Sequence, residues 1–199
     1  MKMKREYEHE YGNISRDSQK RLSDFLENHK LSRLKKNVFD EIKRINYIKW
    51  KDLSFTIYLL PKATPRPRST SNGSFFYVKG AKDNKTFFRK EIDGLDLPFI
   101  TTPCTFKCVS YLPIPKGMNP IEQILAEMGY IRPVSKPDFD NLAKTYSDMI
   151  QDVILLDDKL IVEGTSIKYY SWKPRIEISI SYMDDYDSSF NKNKINRKE

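Results

Sequence analysis

The feature that most constrains this chain is a run of apolar residues with helical spacing that begins at Phe139. On a helix with 100° per residue, six apolar side chains fall within an arc of about 100° and predict a buried face: Phe139, Leu142, Tyr146, Met149, Ile150 and Val153. On its opposite side the same helix carries Asp140, Lys144 and Asp148. We therefore expect an amphipathic helix over residues 139–151 that presents carboxylates and an amine to solvent.

Helical and β-like patterns alternate along the rest of the chain. Helices are predicted at 84–92 and from Asn119 to Gly129, and strands at 53–60, 75–78, 104–112, 160–169 and 175–182. This mixture predicts the α+β class, with a small mixed β-sheet and packed helices in a domain at 51–183. Residues 184–199 lack a periodic apolar pattern and are expected to form a flexible tail.

The first fifty residues are predicted to form a helical N-terminal extension, 1–50. Apolar residues recur at three-to-four spacing from Leu22 to Ile48, and the break at 29–32 predicts two helices, with Ser32 as an N-cap. We expect this apolar stripe to fold back on its own chain. The alternatives are that it packs across a dimer axis or that the basic extension binds DNA.

The overall charge excludes some functions and favours others. Lys and Arg number 35 against 27 Asp and Glu, and the net charge of +8 favours an anionic partner. The two histidines lie in the charged N-terminal region, which excludes hydrolases and nucleases built on histidine. With no apolar run that resembles a signal peptide or a membrane span, we expect a cytoplasmic protein.

The two cysteines, Cys104 and Cys108, fall in a predicted strand. Four residues of strand span about 13 Å, which is too far for a disulfide. No His or further Cys lies nearby in the sequence to complete a zinc site. We therefore expect two buried free thiols.

A second acidic segment follows the predicted helix. Asp157 and Asp158 lie between two apolar runs, where charged residues are costly to bury without partners. If this segment packs back on the helix, it brings a further carboxylate to Asp138 and Asp140, and such oxygen ligands suit Mg²⁺ or Mn²⁺. A purely structural interpretation makes Asp138 a helix cap and pairs Asp140 with Lys144. A basic protein with one acidic, metal-binding pocket is expected of a nucleic-acid phosphodiesterase.

The motif KPDFDNLAK at 136–144, followed by Asp148 and then Asp157–Asp158, resembles the RusA family of Holliday junction resolvases. The family pattern is K-P-D-x-D-N-x-x-K, then an aspartate four residues on, then a D-D pair. A proline-rich basic loop from Pro61 to Arg68 extends the likeness, which covers about 53–182. The resemblance implies an endonuclease, of a kind common in phages and prophages, that cuts four-way or other branched DNA.

Further expectations follow residue by residue from this resemblance. The ligands of Mg²⁺, or of Mn²⁺ in its place, would be Asp138, Asp140 and Asp158. Lys144 would be the catalytic lysine, and Asp157 would support the site. The residues alone do not choose between the two neighbouring aspartates, because adjacent side chains on a strand face opposite ways.

The basic loop and the substrate suggest how DNA is bound. Lys62, Arg66 and Arg68 are expected to contact phosphates. A four-way junction has two strands of like polarity to cut, so we expect a homodimer in which each copy supplies one acidic site.

Two other interpretations remain open at this point. Asp138, Asp157 and Lys159 also match the P-D…D-x-K pattern of restriction-type nucleases, in which Lys159 is the catalytic base. A non-catalytic protein that binds nucleic acid is the alternative from a different class, and it would need only the basic surface.

Overall fold

A computed structural model describes residues 16–64, 68–69, 75–76 and 81–183. The chain divides into two compact units: 1–50 together with 183–199, and 51–182. None of the described helices is long and apolar enough to cross a membrane.

The described part of the first unit is helical, as predicted. Helix α1 spans Arg16–Asn28 and helix α2 spans Lys35–Asn46, with a 3-10 turn at Ser32–Leu34 between them. The break falls where it was predicted, but Ser32 does not cap a helix. Lys30 has a φ of 56°, and the Leu31 N–H donates to the carbonyl of Leu26 at 2.7 Å. A left-handed residue therefore closes α1, and Ser32 falls inside the following turn.

The second unit contains a mixed sheet, which confirms the predicted α+β class. Its described strands are β1 (Trp50–Ile57), β2 (Arg68–Ser69), β3 (Phe75–Phe76), β4 (Cys104–Pro113), β5 (Ile161–Ser171) and β6 (Arg175–Met183). Four of them form one sheet in the order β1-β6-β4-β5, in which β4 runs parallel to β5 and antiparallel to β6. Strands β2 and β3 pair separately as a short antiparallel ladder.

Strand β1 begins and ends three residues earlier than the apolar pattern predicted. Two polar pairs extend it at its start: Ser54 Oγ donates to Ser179 Oγ at 3.0 Å, and Ser181 Oγ donates to Asp52. After Ile57 the chain leaves the sheet, and the apolar residues at 58–60 belong to a loop. The first half of this edge strand therefore depends on polar cross-strand pairs that an apolar pattern does not reveal.

Helices α3 (Ala81–Asp93), α4 (Pro120–Glu127) and α5 (Phe139–Ile150) complete the described part of this unit. One core joins buried residues of the sheet to buried residues of α3 and α5: Phe106, Ile176, Ile178 and Ile180 with Phe88, Ile92, Leu142, Tyr146 and Ile150. The prediction for the buried face of α5 is wrong at its two ends. Phe139 is 63% exposed because it is the first residue of the helix, and Val153 lies beyond the helix end and is half-buried.

Cys104 and Cys108 are buried free thiols on the core side of β4, as expected. Burial raises the pKa of Cys104 to about 11 and that of Cys108 to about 12. Because the thiolate is the reactive form, we expect both buried thiols to be unreactive while the protein is folded.

We predict that neither cysteine reacts with iodoacetamide at pH 8 while the protein is folded. Mass spectrometry should find no label under native conditions and two labels after unfolding in guanidinium chloride. Labelling of either thiol at the rate of a free cysteine, in protein that remains folded by circular dichroism, would contradict the buried positions.

Candidate active site

The start of helix α5 carries the first two predicted ligands. Asp138 occupies the N-cap position with φ −70° and ψ 149°, but its side chain makes no capping hydrogen bond. Asp140 lies in the first turn, and both residues are exposed. The interpretation of Asp138 as a side-chain cap is therefore wrong. The backbone begins the helix at this point without using the Asp138 carboxylate, and the positive end of the helix dipole favours negative charge there.

Two side chains of strand β5, which the sequence motif did not identify, bond the segment around the start of α5 to that strand. Lys168 Nζ donates to the carbonyl oxygens of Ser135 and Pro137, at 3.0 Å each. Ser166 Oγ donates to the carbonyl of Phe139 at 2.7 Å. The Lys136–Pro137 peptide bond within this segment is cis. The backbone on both sides of Asp138 is therefore held by one strand.

A signal for this arrangement was available in the sequence. Side chains two residues apart on a strand share a face, so Ser166 and Lys168 lie on the same side of β5 as Tyr170, which is buried. Two polar residues on the core side of a strand require partners. Here the partners are backbone carbonyls of the segment that leads into the acidic helix.

Lys144 lies one turn beyond Asp140 on α5 and is exposed. Its Nζ forms an ion pair with Asp148 Oδ1 at 3.4 Å, one turn further along the helix. Exposed ion pairs with this spacing contribute only about 0.3–0.5 kcal/mol. The ammonium group can therefore exchange Asp148 for a phosphate oxygen at little cost.

The neighbouring aspartates 157 and 158 have different environments. Asp157 Oδ1 accepts from the backbone N–H of Lys159 at 3.0 Å, and Asp157 Oδ2 pairs with Lys159 Nζ at 2.8 Å. The hydrogen bonds from Lys159 lower the pKa of Asp157. Asp157 thus caps a short 3-10 helix, Asp158–Leu160, that leads into β5, and Lys159 occupies both of its oxygens. Asp158 is the first residue of that helix and is half-buried.

Helix α5 also holds the first residues of the basic loop. Thr145 Oγ1 accepts from the N–H of Thr64 at 2.7 Å, and Asn141 Nδ2 donates to the carbonyl of Thr64 at 3.4 Å. The hydroxyl of Tyr146 accepts from the N–H of Lys62 at 3.2 Å and donates to the Lys62 carbonyl at 3.4 Å. Burial raises the pKa of Tyr146, which keeps this donor proton in place.

The predicted DNA-binding residues are only partly described. Lys62 is exposed and lines a cavity of about 280 Å³ together with Tyr58, Leu59, Leu60, Phe87, Tyr146 and Met149. Arg66 and the side chain of Arg68 lie outside the described residues, although the backbone of Arg68 belongs to β2. The described part therefore connects the start of the basic loop to the helix that carries Asp140 and Lys144.

The donor set suits a hard divalent cation in its chemistry, since carboxylate oxygens are the ligands that Mg²⁺ and Mn²⁺ prefer. Among the described residues, however, no three His, Cys, Asp or Glu side chains converge into a group that could hold a metal ion. The structure thus brings Asp138 and Asp140 together at one helix start, but it does not join them with Asp158 in a closed cluster.

The start of α5 thus presents two exposed carboxylates and, one turn further on, an exposed lysine, on a helix that packs against a mixed sheet. The family model of endodeoxyribonuclease RusA matches residues 59–181, well over half of the chain. The chain therefore belongs to the RusA endodeoxyribonuclease family, and the resemblance is confirmed. The activity that goes with the family is that of a Holliday junction resolvase, and its nucleases are in general metal-dependent.

The chain is also similar to a curated protein. It is 31% identical over 134 residues to the uncharacterized protein YqaN of Bacillus subtilis (strain 168). The aligned region covers 64% of this chain and 94% of YqaN. The likeness thus spans nearly the whole relative.

We predict that Lys168 positions the acidic segment and that Lys168→Met lowers kcat for DNA cleavage by about 10- to 100-fold, as expected for a small displacement of a reacting group. Binding of uncleaved DNA should change little, because Lys168 acts through Ser135 and Pro137. Lys168→Arg, which keeps the charge and can donate to both carbonyls, should restore most of the activity.

Lys107→Met is the matched control, because Lys107 is exposed on the opposite face of the neighbouring strand. Single-turnover rates and DNA affinity should be measured for all variants. Equal rates for Lys168→Met and the control would show that the two hydrogen bonds do not matter for catalysis.

Proposed function

We propose that this protein resolves four-way DNA junctions as a metal-dependent endonuclease, by making paired symmetric nicks. The observation that carries the proposal is that the Asp138 carboxylate makes no capping hydrogen bond to the helix that it begins. Lys168 and Ser166 donate hydrogen bonds to the backbone carbonyls on both sides of Asp138, so its position is fixed while its side chain stays available. A carboxylate that serves only the fold would be expected to cap the helix that it begins.

In this proposal Asp138 and Asp140 at the start of α5 would bind Mg²⁺, or Mn²⁺ in its place, and Asp158 would be the third ligand. When bound, the ion supplies an activated water and stabilises charge on the phosphate. Lys144 leaves its weak pair with Asp148 and donates to an oxygen of the scissile phosphate. Asp157 fixes the turn at Asp158 through Lys159 and supports the site indirectly.

Substrate binding in the proposal begins beside the acidic helix. The exposed Lys62, together with Arg66 and Arg68, provides positive charge for the DNA backbone. Because the backbone at 62–64 is bonded to α5, phosphates held there would lie at a fixed distance from Lys144. Such a substrate also implies that the protein works in the bacterial cytoplasm.

The restriction-type alternative, with Lys159 as the catalytic base, is disfavoured by one contact. A general base must be able to accept a proton. Lys159 Nζ instead pairs with Asp157 Oδ2 at 2.8 Å, and this contact holds the amine against the carboxylate of its own turn. The experiments below distinguish this proposal from non-catalytic binding of nucleic acid.

We predict that the protein nicks a synthetic four-way junction only when Mg²⁺ or Mn²⁺ is added. Asp138→Asn, Asp140→Asn and Asp158→Asn should each lower the nicking rate at least about 100-fold, because each removes a charged ligand of the metal. Melting temperatures of the exposed variants Asp138→Asn and Asp140→Asn should stay within a few degrees of the wild-type value. Junction binding in the presence of Ca²⁺ should persist.

Asp152→Asn is the matched control, since Asp152 is an exposed aspartate of the same segment that the proposal does not use. Wild-type cleavage rates for Asp138→Asn or Asp140→Asn would contradict the ligand assignment. Tight binding of the junction without cleavage in either metal would favour the non-catalytic alternative.

We also predict that Lys144→Ala abolishes nicking while metal affinity is retained, because an ammonium group does not bind a cation. Lys159→Ala should reduce activity only partly, since it loosens the turn at Asp157 without removing a reacting group. Cleavage rates and Mn²⁺ titrations should be compared for the two variants. Loss of cleavage with Lys159→Ala alone would favour the restriction-type mechanism.

A further inference from the structure

The cavity of about 280 Å³ beside the basic loop has a buried floor and exposed aromatic walls. Tyr146 and Met149 of α5 form the floor and are no more than 4% exposed. Tyr58, which follows β1, and Phe87 of α3 line the walls and are 68% and 47% exposed. Exposed apolar side chains that lie together, unlike those scattered singly, are typical of a binding groove.

A positive charge lies at the opening of this cavity. Among the described residues that line it, Lys62 alone is charged, and its side chain is exposed. The Tyr146 hydroxyl accepts from the Lys62 N–H at 3.2 Å and donates to the Lys62 carbonyl at 3.4 Å. The backbone that carries this ammonium group is therefore held directly by the cavity floor.

The segments on both sides of the cavity are strongly basic. Residues 58–68 contain three Lys or Arg and no Asp or Glu, and residues 81–90 contain four Lys or Arg and one Asp. Lys90 is exposed and lies three residues after Phe87, so the two side chains are neighbours on the surface of α3. A ligand that matches both features needs a flat apolar ring and a negative charge. A nucleotide has this combination, and aromatic rings beside cations are the usual means of binding unpaired nucleic acid.

The size of the cavity restricts which part of a nucleic acid can enter it. Its volume is just below the roughly 300–1,000 Å³ of pockets for drug-sized ligands, which suits a single ring system. A base inside a duplex is stacked and paired, and it must leave the stack before it can enter a protein pocket. The energetic cost of leaving is smallest where pairing or stacking is already interrupted, as at the branch point of a junction.

We propose that the cavity binds one unstacked base of branched DNA, with the base against the rings of Tyr58 and Phe87 and its phosphate near Lys62. The proposal rests on the proposed function, because it takes the ligand to be the DNA that the acidic site cleaves. The cavity floor belongs to α5, the helix that also carries Lys144. A base held there would fix the strand relative to the acidic site, and branched DNA would be preferred because a linear duplex does not offer such a base.

The first test compares junction binding by variants of the full-length protein, in Ca²⁺ so that no cleavage occurs. Phe87→Leu and Tyr58→Leu should each weaken binding about 5-fold or more, as expected when a base loses an aromatic stacking partner. Phe87→Tyr keeps a ring and should bind like the wild type. Phe99→Leu is the matched control, because Phe99 is 43% exposed and does not line the cavity.

The second test removes the base instead of the ring. Abasic nucleotides replace, one at a time, the nucleotides that flank the branch point of an immobile junction. At the position whose base enters the cavity, Phe87→Leu should change the affinity by less than about 2-fold, because the ring no longer has a partner to lose. At the other positions the loss of about 5-fold should remain.

Both leucine substitutions are at exposed positions, so the melting temperatures should stay within a few degrees of the wild-type value. Wild-type affinity of both folded variants would overturn the proposal. An equal loss on the intact junction and on every abasic junction would also overturn it, since the ring would then act through the fold or through a contact other than a base.

Two further readouts identify the source of the base and separate this proposal from the proposed function. Deoxynucleoside monophosphates should not displace the junction at micromolar concentration; if they do, the cavity binds a free nucleotide and the proposal is wrong. If affinity depends on the base as described but no protein nicks the junction in Mg²⁺ or Mn²⁺, the cavity stands and the proposed function fails. If both leucine variants bind and nick like the wild type, the function stands and the cavity proposal fails. A wild-type protein that binds no branched DNA would contradict both.

Discussion

The packing of α5 against the sheet is the interaction on which the rest of the nuclease unit depends. Leu142, Tyr146 and Ile150 are each no more than 1% exposed and share one core with the inner residues of β4 and β6. Burying side chains of this size contributes roughly 1.5–3 kcal/mol each, far more than any exposed ion pair of the unit. Because this face is fixed inward, Asp140 and Lys144 face outward, and the acidic site follows from apolar burial.

Helices and strands with a regular apolar pattern could be predicted from the sequence, whereas contacts between distant segments could not. The bounds of α5 and the start of α4 at Asn119–Pro120 follow from local patterns and capping residues, which act over three or four positions. The shift of β1 depends on Ser179 and Ser181, more than 120 residues away. The end of α1 depends on the positive φ of Lys30, for which the local pattern gave no glycine signal.

In the candidate site, too, the local motif could be predicted from the sequence and the contacts with distant residues could not. The motif identified Asp138, Asp140, Lys144 and Asp158 as candidates by type and spacing, but their use remains a prediction. What the motif did not reveal is the support around the site. Lys168 and Ser166 bond the backbone on one side, and Asn141, Thr145 and Tyr146 bond the basic loop on the other; of these only Asn141 belongs to the motif. These side chains bind main-chain atoms. Every residue has the same main-chain atoms, so a pattern of residue types does not show which of them a side chain will bind.

The parallel pairing of β4 with β5 has a further consequence for how the molecule loses its structure. Parallel neighbours require a long crossover, and every acidic residue proposed for the site lies within that one connection, from 114 to 160. By contrast, β1 is an edge strand joined to β6 by contacts such as Ser54 to Ser179, 125 residues apart in the chain. Contacts that close so long a loop cost more entropy than contacts within the crossover. Under mild denaturation or force, β1 should therefore detach first, and the acidic segment should be among the last parts of the unit to lose its shape.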